Sequence, residues 1–424
     1  MLRKKLKAYA LPFAVFISVI VVILSSTLIL AAHYNNRFYN RIIMQDKLNA
    51  NVSSAIHLLL VHPNMIDDGG TKLLSLYGET ADSVKIEKES WGVFDLFTVT
   101  AFHQRLKVKR SVMTGNYKYD STHVAFFVSD RGKPVSVTGN VEIRGNSILP
   151  ESGFKQAHIE GKTFTGSRIA DSDIHKGNRV LPPLNERIAR LNTDYFLNKY
   201  LNNFSKIIPF EEMRNDSLVV SFLDTVTVLY SPYSISLNYK ILQGKIIVLS
   251  EKEIRIGNTN QLTDVLCVAP YIRVESRFSG KLQLLARDSL SIDNDCQLKY
   301  PSAVGIISQG QISKAPYINI GEKTTISGIT LIYRTAAEAD KQPLLRLDKG
   351  SVVKGQVYSN GYTEIKGSIH GSLYTDRFFL STPSATYENT LMDADIDIYK
   401  LSRSYVGMDL IDEQTVGSVV KWVY

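Results

Sequence analysis

A repeat of about 18 residues in the second half of the chain constrains the fold more than any other feature of the sequence. Pairs of aliphatic residues recur at this interval, in the order Ile254 and Ile256, Ile272 and Val274, Leu290 and Ile292. One such segment cannot bury its own apolar side chains, whereas stacked segments bury them against each other and pair their backbone groups. The interval is therefore typical of a β-solenoid, in which each repeat adds one rung.

Longer copies indicate the same fold. The segment Ala269–Val274 (APYIRV) returns as Ala315–Ile320 (APYINI), and a segment that ends in Ser-Gly follows each copy. Units of the form Gly-x-aliphatic continue the pattern at Lys354–Tyr358, Lys366–Ile369 and His370–Tyr374. A β-sandwich with chance spacing is the alternative, and the six-residue near-copy argues against it. We predict a mainly β fold class, with a right-handed β-helix-like solenoid over residues 135–390.

Other segments are predicted around the solenoid. Alternating apolar residues over 71–134 predict a β-strand region before it. A Pro-Pro pair, an acidic first turn at Glu186 and apolar residues at helical spacing predict a helical insertion over 183–205. Residues 334–343 are polar, so we expect a loop that projects from a rung. The last segment, 391–424, is expected to form a C-terminal cap or tail on the open end of the solenoid.

The N-terminal part of the chain contains a segment that suits a lipid bilayer. No Asp, Glu, Lys or Arg occurs from Ala8 to Asn36, and Ala8–Ala32 is apolar apart from Ser25, Ser26 and a few other polar residues. As a helix, these residues would span about 37 Å, which exceeds the ~30 Å thickness of the hydrocarbon core. We therefore predict a basic leader over 1–8 and a transmembrane helix over 9–32.

The charge distribution predicts the orientation of this helix. Four basic residues precede the span, and no acidic residue occurs before Asp46. By the positive-inside rule the N-terminus stays in the cytoplasm and the bulk of the chain is periplasmic or extracellular. The predicted location is the bacterial inner membrane, with a single pass. A cleaved signal peptide is the alternative, but its apolar region is normally ~7–15 residues long and ends at a small-x-small site.

The start of the chain also resembles a known family. Residues Lys5–Val15 (KLKAYALPFAV) resemble the prepilin start of type IV pilins and type II secretion pseudopilins, in which a basic leader precedes a long apolar helix. The resemblance implies cleavage by prepilin peptidase between Ala8 and Tyr9. The fifth mature position is usually Glu in this family and is Phe13 in this chain. Some minor pseudopilins also lack that Glu, so the resemblance implies a minor component. An ordinary signal anchor is the alternative.

An amphipathic helix is predicted to continue beyond the membrane. Apolar residues recur at spacings of four and three, at Met44, Leu48, Val52, Ile56 and Leu59. Pro63 and the turn residues Asp67–Gly70 then end the pattern. We expect a stalk helix over 33–62, as in pilin-like proteins and in other stalked membrane proteins.

The net charge of the chain does not indicate a nucleic-acid partner. The 49 Lys and Arg exceed the 41 Asp and Glu, which gives a formal net charge of +8. Six basic residues and no acidic residue lie within residues 1–45, so the rest of the chain carries a net charge of only +2. The excess is therefore a signal of membrane topology, and we expect membrane lipid as a partner and no nucleic acid.

The sequence contains no recognisable catalytic or cofactor motif. The eight histidines form no His-x-His or HExxH pair, and there is no GxSxG, P-loop or dinucleotide fingerprint. We therefore expect no catalytic residue, no cofactor, no metal and no enzymatic activity. Two acidic runs could bind Ca²⁺ or act on a polysaccharide, because residues at i and i+2 share a strand face; turn and solvent-facing carboxylates are the more ordinary explanation. These runs are Asp293/Asp295 and Asp393/Asp395/Asp397.

The two cysteines leave two possibilities open. Cys267 and Cys296 are 29 residues apart, which is more than one repeat. Outside the cytoplasm a disulfide between them is allowed. Solenoid cores also use Cys as a small apolar residue, and two free buried thiols are the favoured interpretation.

Three functions are compatible with these features. The favoured one is a non-enzymatic, single-pass membrane protein, a minor pseudopilin-like component of a pilus or secretion-type assembly, with other envelope or pilin-like proteins as partners. The first alternative is a membrane-tethered β-helix protein that binds or degrades polysaccharide. The second is an adhesive or bactofilin-like envelope scaffold, since the rhythm of Gly350–Tyr374 resembles bactofilins.

Overall fold

The computed structural model describes residues 10–76, 83–120, 123–166, 169–170, 174–196, 206–309, 314–335, 341–411 and 416–423. Within them the protein is mainly β, with one long apolar helix near the N-terminus. The predicted leader at 1–8 lies outside the described residues.

Helix α1 runs without a break from Ala10 to Val61. The side chains of its first three-fifths are exposed, although most of them are apolar. A helix of this length and composition is able to cross a membrane. Its later turns differ, because they carry a buried stripe formed by Leu48, Val52, Ala55, Ile56 and Leu59. Four of these five residues belong to the predicted amphipathic pattern, and Met44 at its start is half-buried.

Two compact units divide the chain. The first consists of Met1–Ile56, Leu73–Lys85 and Val99–Lys109, and the second of His57–Lys72, Ile86–Thr98 and Arg110–Tyr424. A five-stranded sheet has the order β1-β2-β3-β4-β31. Its strands are β1 (Thr71–Ser75), β2 (Ser83–Trp91), β3 (Phe94–His103), β4 (Leu106–Gly115) and β31 (Ser418–Val423).

The C-terminal strand joins the five-stranded sheet. Residues Ser418–Val423 run antiparallel to β4, with Trp422 opposite Val112. These residues of the predicted cap or tail therefore extend a sheet. A strand such as β31 satisfies its backbone groups by pairing with another strand.

The second unit contains a long succession of strands of 2 to 14 residues. Before the second helix, α2 (Glu186–Phe196), these are β5 (Tyr117–Lys118), β6 (Val124–Val128), β7 (Val135–Thr138), β8 (Glu142–Arg144), β9 (Asn146–Leu149), β10 (Phe154–Gln156) and β11 (Ile174–Lys176). After α2 come β12 (Lys206–Pro209), β13 (Ser217–Val220), β14 (Thr227–Ser231), β15 (Ile235–Leu237), β16 (Ile241–Gly244), β17 (Ile246–Ser250), β18 (Glu253–Ile256), β19 (Gln261–Val274) and β20 (Ser279–Ile292). They continue as β21 (Gln297–Ser308), β22 (Tyr317–Ile320), β23 (Thr325–Arg334), β24 (Leu344–Leu347), β25 (Val352–Ile365), β26 (Ser368–Ser381), β27 (Thr386–Glu388), β28 (Thr390–Met392), β29 (Asp395–Asp397) and β30 (Val406–Gly407).

The strands β12–β26 form a parallel ladder, in which a strand pairs with its counterpart one repeat later. The aliphatic pairs of the sequence repeat lie side by side in it, since Ile254 pairs with Ile272 and Ile272 with Leu290. Ile318 and Leu345 continue the same column. All of these side chains are buried. The 18-residue interval in the sequence is therefore the length of chain between neighbouring strands of this ladder.

These pairings link β6, β8, β9, β11–β27 and β29 into one closed, mainly parallel barrel. The side chains that point inward form an apolar cluster along its length. A second cluster covers part of the outer face, where Ile188 and Leu191 of α2 and Trp91 of β2 join residues of the ladder. Helix α2 lies within the predicted helical insertion, and residues 197–205 of that insertion are outside the described part of the chain.

Candidate functional site

The predicted processing site is not among the described residues. Ala8 and Tyr9 lie just before the first described residue, Ala10. Phe13 lies in α1 with an exposed side chain. Cleavage between Ala8 and Tyr9 stays a prediction.

The two cysteines are separate buried thiols. Cys267 lies inside β19, where it pairs with Val248 and Leu284, and Cys296 lies in the turn that precedes β21. Both are free, and the Cys296 thiol donates to the Glu275 carbonyl oxygen at 3.2 Å. Burial raises the pKa of the Cys267 thiol to about 12, because the thiolate would lose its hydration.

Alkylation measures the state of these thiols directly. We expect iodoacetamide at pH 8 to leave Cys267 unmodified in the native protein, because its thiol is buried and protonated. After unfolding in urea without reductant, intact mass spectrometry should show two additions. Unfolding with reductant is the control and should give the same mass. Two additions that appear only with reductant would mean that the cysteines form a disulfide.

The acidic residues of the two predicted runs are distributed among different partners. Asp293 pairs with Arg273 at 3.0 Å, whereas Asp295 occupies an exposed turn with φ of 60°. Asp393 pairs with Lys162, and Asp397 accepts a hydrogen bond from the Tyr399 backbone at 2.8 Å. In the part of the chain that the structure describes, no group of three or more His, Cys, Asp or Glu is arranged to hold a metal ion.

The outward face of the ladder carries aromatic and charged side chains in register. One column, which we call the tyrosine column, places Tyr271, Tyr317 and Tyr362 on alternate strands, with Ser289 and Leu344 between them. Parallel strands lie about 4.8 Å apart, so these tyrosines recur at about 10 Å. Tyr271 is 47% exposed.

A second column lies two residues further along the same strands. This arginine column contains Arg255 opposite Arg273, and later Asn319 opposite Arg346. The two columns touch, because the Arg346 guanidinium lies over the Tyr317 ring at 5.9 Å and pairs with the buried Glu364 at 2.6 Å. A shallow cavity of about 390 Å³ opens between Arg255, Arg273 and Asp293. This face therefore combines one exposed and two half-buried tyrosine rings with cations and hydrogen-bonding groups.

A larger cavity of about 490 Å³ lies further along the ladder, and we call it the C-terminal cavity. Its first wall is a column formed by Ser327, Lys354 and His370, which are neighbours on β23, β25 and β26. Each of these residues precedes a glycine of one further column, formed by Gly328, Gly355 and Gly371.

Glycine is required in that further column. The three glycines have φ between 144° and 149°, a region that L-residues with side chains rarely occupy. A Cβ at Gly355 would overlap the carbonyl oxygen of Gly328 and crowd the Tyr405 hydroxyl. The three glycines therefore allow the neighbouring strands to approach closely. The residue before each glycine, which is Ser327, Lys354 or His370, lies on the cavity wall.

The opposite wall is the segment Leu401–Tyr405, together with Tyr300 of β21. The Tyr405 hydroxyl donates to the Gly328 carbonyl oxygen at 3.0 Å, and the Tyr300 hydroxyl donates to Val406 at 2.9 Å. The Gln356 side chain fixes the backbone at Met408, just beyond this segment. Its amide nitrogen donates to the Met408 carbonyl oxygen, and its amide oxygen accepts from the Met408 N–H group. Burial raises the pKa of Tyr300 to about 12 and also raises the pKa of Tyr405 well above its usual value, so both rings stay neutral.

Asp395 lies beside Lys400 and His370 of this cavity. Its Oδ2 atom lies 2.6 Å from Lys400 Nζ and 3.8 Å from His370 Nε2. The His370 ring, and then Lys400, lower the pKa of the Asp395 carboxyl to about 2, against the opposing effect of burial. Since this pKa is lower in the folded than in the unfolded chain, the ionised carboxylate stabilises the fold above pH about 4, and this contribution disappears as the pH falls towards 2.

The variant Asp395→Asn should therefore be less stable than the wild-type protein at pH 7, and the difference should shrink between pH about 4 and 2. Urea-unfolding midpoints at pH 7, 4 and 2.5 measure it. Asp295→Asn is the matched control, because its carboxylate lies in an exposed turn, and we expect it to match the wild type. A difference for Asp395→Asn that is constant with pH would contradict the assignment.

Sequence patterns did not single out the residues of the C-terminal cavity as a site. Lys354 and His370 appeared in the sequence only as parts of Gly-x-aliphatic units. The sequence feature that could have identified this wall is the recurring x-Gly dipeptide. When Ser327-Gly328, Lys354-Gly355 and His370-Gly371 are aligned, the residue before each glycine falls in one column. Nothing in the local sequence marks Tyr300 or Tyr405 as the facing wall.

No protein-family model, no curated protein and no solved structure matches this chain.

Proposed function

We propose that this protein is a non-enzymatic, single-pass protein of the bacterial inner membrane and a minor pseudopilin-like component of a pilus or secretion-type assembly. The observation that carries the proposal is the continuity of α1 from Ala10 to Val61. Its early turns expose apolar side chains that suit lipid, and its later turns bury a stripe in protein. A helix that is both an anchor and part of the folded protein suits lateral assembly in the membrane.

In this proposal the N-terminus is cytoplasmic and the β-rich body is periplasmic or extracellular. The four basic residues before the span support that orientation. The parallel ladder is a right-handed β-solenoid. Parallel strands joined by crossover connections within one sheet are right-handed in about 98% of cases, which supports this hand.

N-terminal sequencing of the membrane-extracted protein tests the proposal. We expect the mature chain to begin at Tyr9 in a strain with active prepilin peptidase, and at Met1 in a strain without it. An intact leader in both strains would contradict the pseudopilin assignment and leave an ordinary signal anchor.

A second candidate function is binding of a surface polysaccharide along the ladder. It is favoured by the tyrosine and arginine columns, since flat rings accept the C–H faces of sugars, and arginines pair with acidic groups. The strand spacing of about 4.8 Å is similar to the length of one sugar residue in an extended chain. A polymer that lies along the ladder would therefore meet repeated contacts in register.

Retention on an immobilised acidic polysaccharide tests this candidate. We expect Tyr271→Ala combined with Arg273→Ala to reduce retention at least tenfold. Tyr387→Ala is the control, since this tyrosine lies in β27, outside both columns. Equal retention of the double variant and the wild-type protein would contradict a binding role for the columns.

A further inference from the structure

We propose that the C-terminal cavity binds a sugar ring that carries a carboxylate, such as a uronic-acid unit. This inference rests on the polysaccharide-binding candidate and names the chemical class of its ligand. It concerns a different place on the ladder from the tyrosine and arginine columns.

The charges of the cavity suit one carboxylate. Lys354, His370 and Lys400 contribute to its lining. Asp395 compensates Lys400 and faces His370, as described above. Lys354 is exposed on the wall and has no acidic partner among the described residues. An incoming anion would therefore find one uncompensated ammonium group, which suits a monoanion better than a phosphate dianion.

The rings of the cavity suit the body of a sugar. Tyr300 and Tyr405 line it, with their ring centroids 5.7 Å apart. Tyr405 is only 4% exposed and packs against Tyr117 and Tyr300, so it supports the half-buried Tyr300 ring from behind. The Tyr300 hydroxyl already donates to a backbone carbonyl oxygen, so this ring offers mainly its carbon surface to a ligand. The C–H faces of a pyranose pack against such surfaces, in the way that apolar groups pack against aromatic rings.

The remaining polar groups suit the hydroxyls of a sugar. Ser327 stands beside Lys354 in the same column, and Ser402 and Ser404 lie on the facing wall. Serine hydroxyls both donate and accept hydrogen bonds, as sugar hydroxyls do. The volume of about 490 Å³ lies within the usual range for small-molecule sites and leaves room for more than one sugar unit.

Calorimetry on the full chain in detergent tests the inference, with D-galacturonate, D-galactose and inorganic phosphate as probes. We expect galacturonate to bind at least tenfold more tightly than either of the others. Lys354→Met keeps most of the apolar stem and removes the charge, so it should weaken galacturonate binding at least tenfold. Lys349→Met is the matched control, since this lysine is exposed in the turn before β25.

Two results would overturn the inference. One is equal affinity for galacturonate and for galactose or phosphate. The other is wild-type affinity for galacturonate in a Lys354→Met variant whose thermal unfolding midpoint is unchanged. If the polymer is still retained through Tyr271 and Arg273, only the cavity assignment fails. If no acidic polysaccharide is retained by the wild-type protein, the polysaccharide-binding candidate fails as well.

Discussion

Two lysines in the apolar part of α1 are expected to release the protein from the membrane. In the double variant Ile20→Lys with Leu24→Lys, both charges lie in the middle of the predicted span and one turn apart. Each lysine near the centre of a membrane helix costs about 2.5–3.5 kcal/mol on insertion. The wild-type side chains at these positions are exposed in the described residues, so no protein group is placed to compensate the charges. The pair should therefore cost about 5–7 kcal/mol.

The measurement is the fraction of the protein that resists extraction of membranes with alkaline carbonate. We expect most of the wild-type protein to resist and most of the double variant to be extracted. The control is Ile20→Leu with Leu24→Ile, which keeps the apolar character and the number of carbon atoms. If the double lysine variant still resists extraction, α1 is not the membrane anchor.

The periodic features of the fold could be predicted from the sequence because local chemistry determines them. Buried strands that stack in register require an aliphatic residue at each inward position, so Ile254, Ile272 and Leu290 recur at the length of one repeat. The stalk pattern around Leu48 and Val52 has the same origin, since one face of a helix must be apolar where it is buried. Where the connection between strands lengthens, as between Leu290 and Ile318, the simple interval is lost although the pairing continues.

The C-terminal cavity could not be predicted in the same way. Its walls are brought together by contacts such as that between Tyr405 and Gly328, which are 77 residues apart in the chain. A single hydrogen bond from a hydroxyl to a backbone carbonyl oxygen produces no periodic pattern in the sequence from which it could be predicted. The pairing of β31 with β4 is also a long-range choice between alternative partners. Hydrophobic pattern indicates that a strand needs a partner, but it does not identify which one.

The variant Ile318→Asn is expected to cause a large loss of stability, because Ile318 lies in the column of buried aliphatic residues. The Ile318 side chain is fully buried, with Leu290 and Leu345 on the neighbouring strands. The change removes about 1.5–3 kcal/mol of apolar burial and leaves an amide without partners, at a further cost of about 1–3 kcal/mol. We expect the free energy of unfolding to fall by about 4 kcal/mol, a large part of the stability of an ordinary domain.

The midpoint of urea unfolding measures this effect, with Ser291→Asn as the matched control. Ser291 lies next to Leu290 on the same strand but on the outward, half-exposed face, so the same new side chain reaches solvent there. Alternation along a strand therefore predicts a change of less than about 0.5 kcal/mol for the control. Equal midpoints for the two variants would mean that the column is not a packed core. In that case the 18-residue interval would no longer be explained by burial of apolar side chains between neighbouring strands.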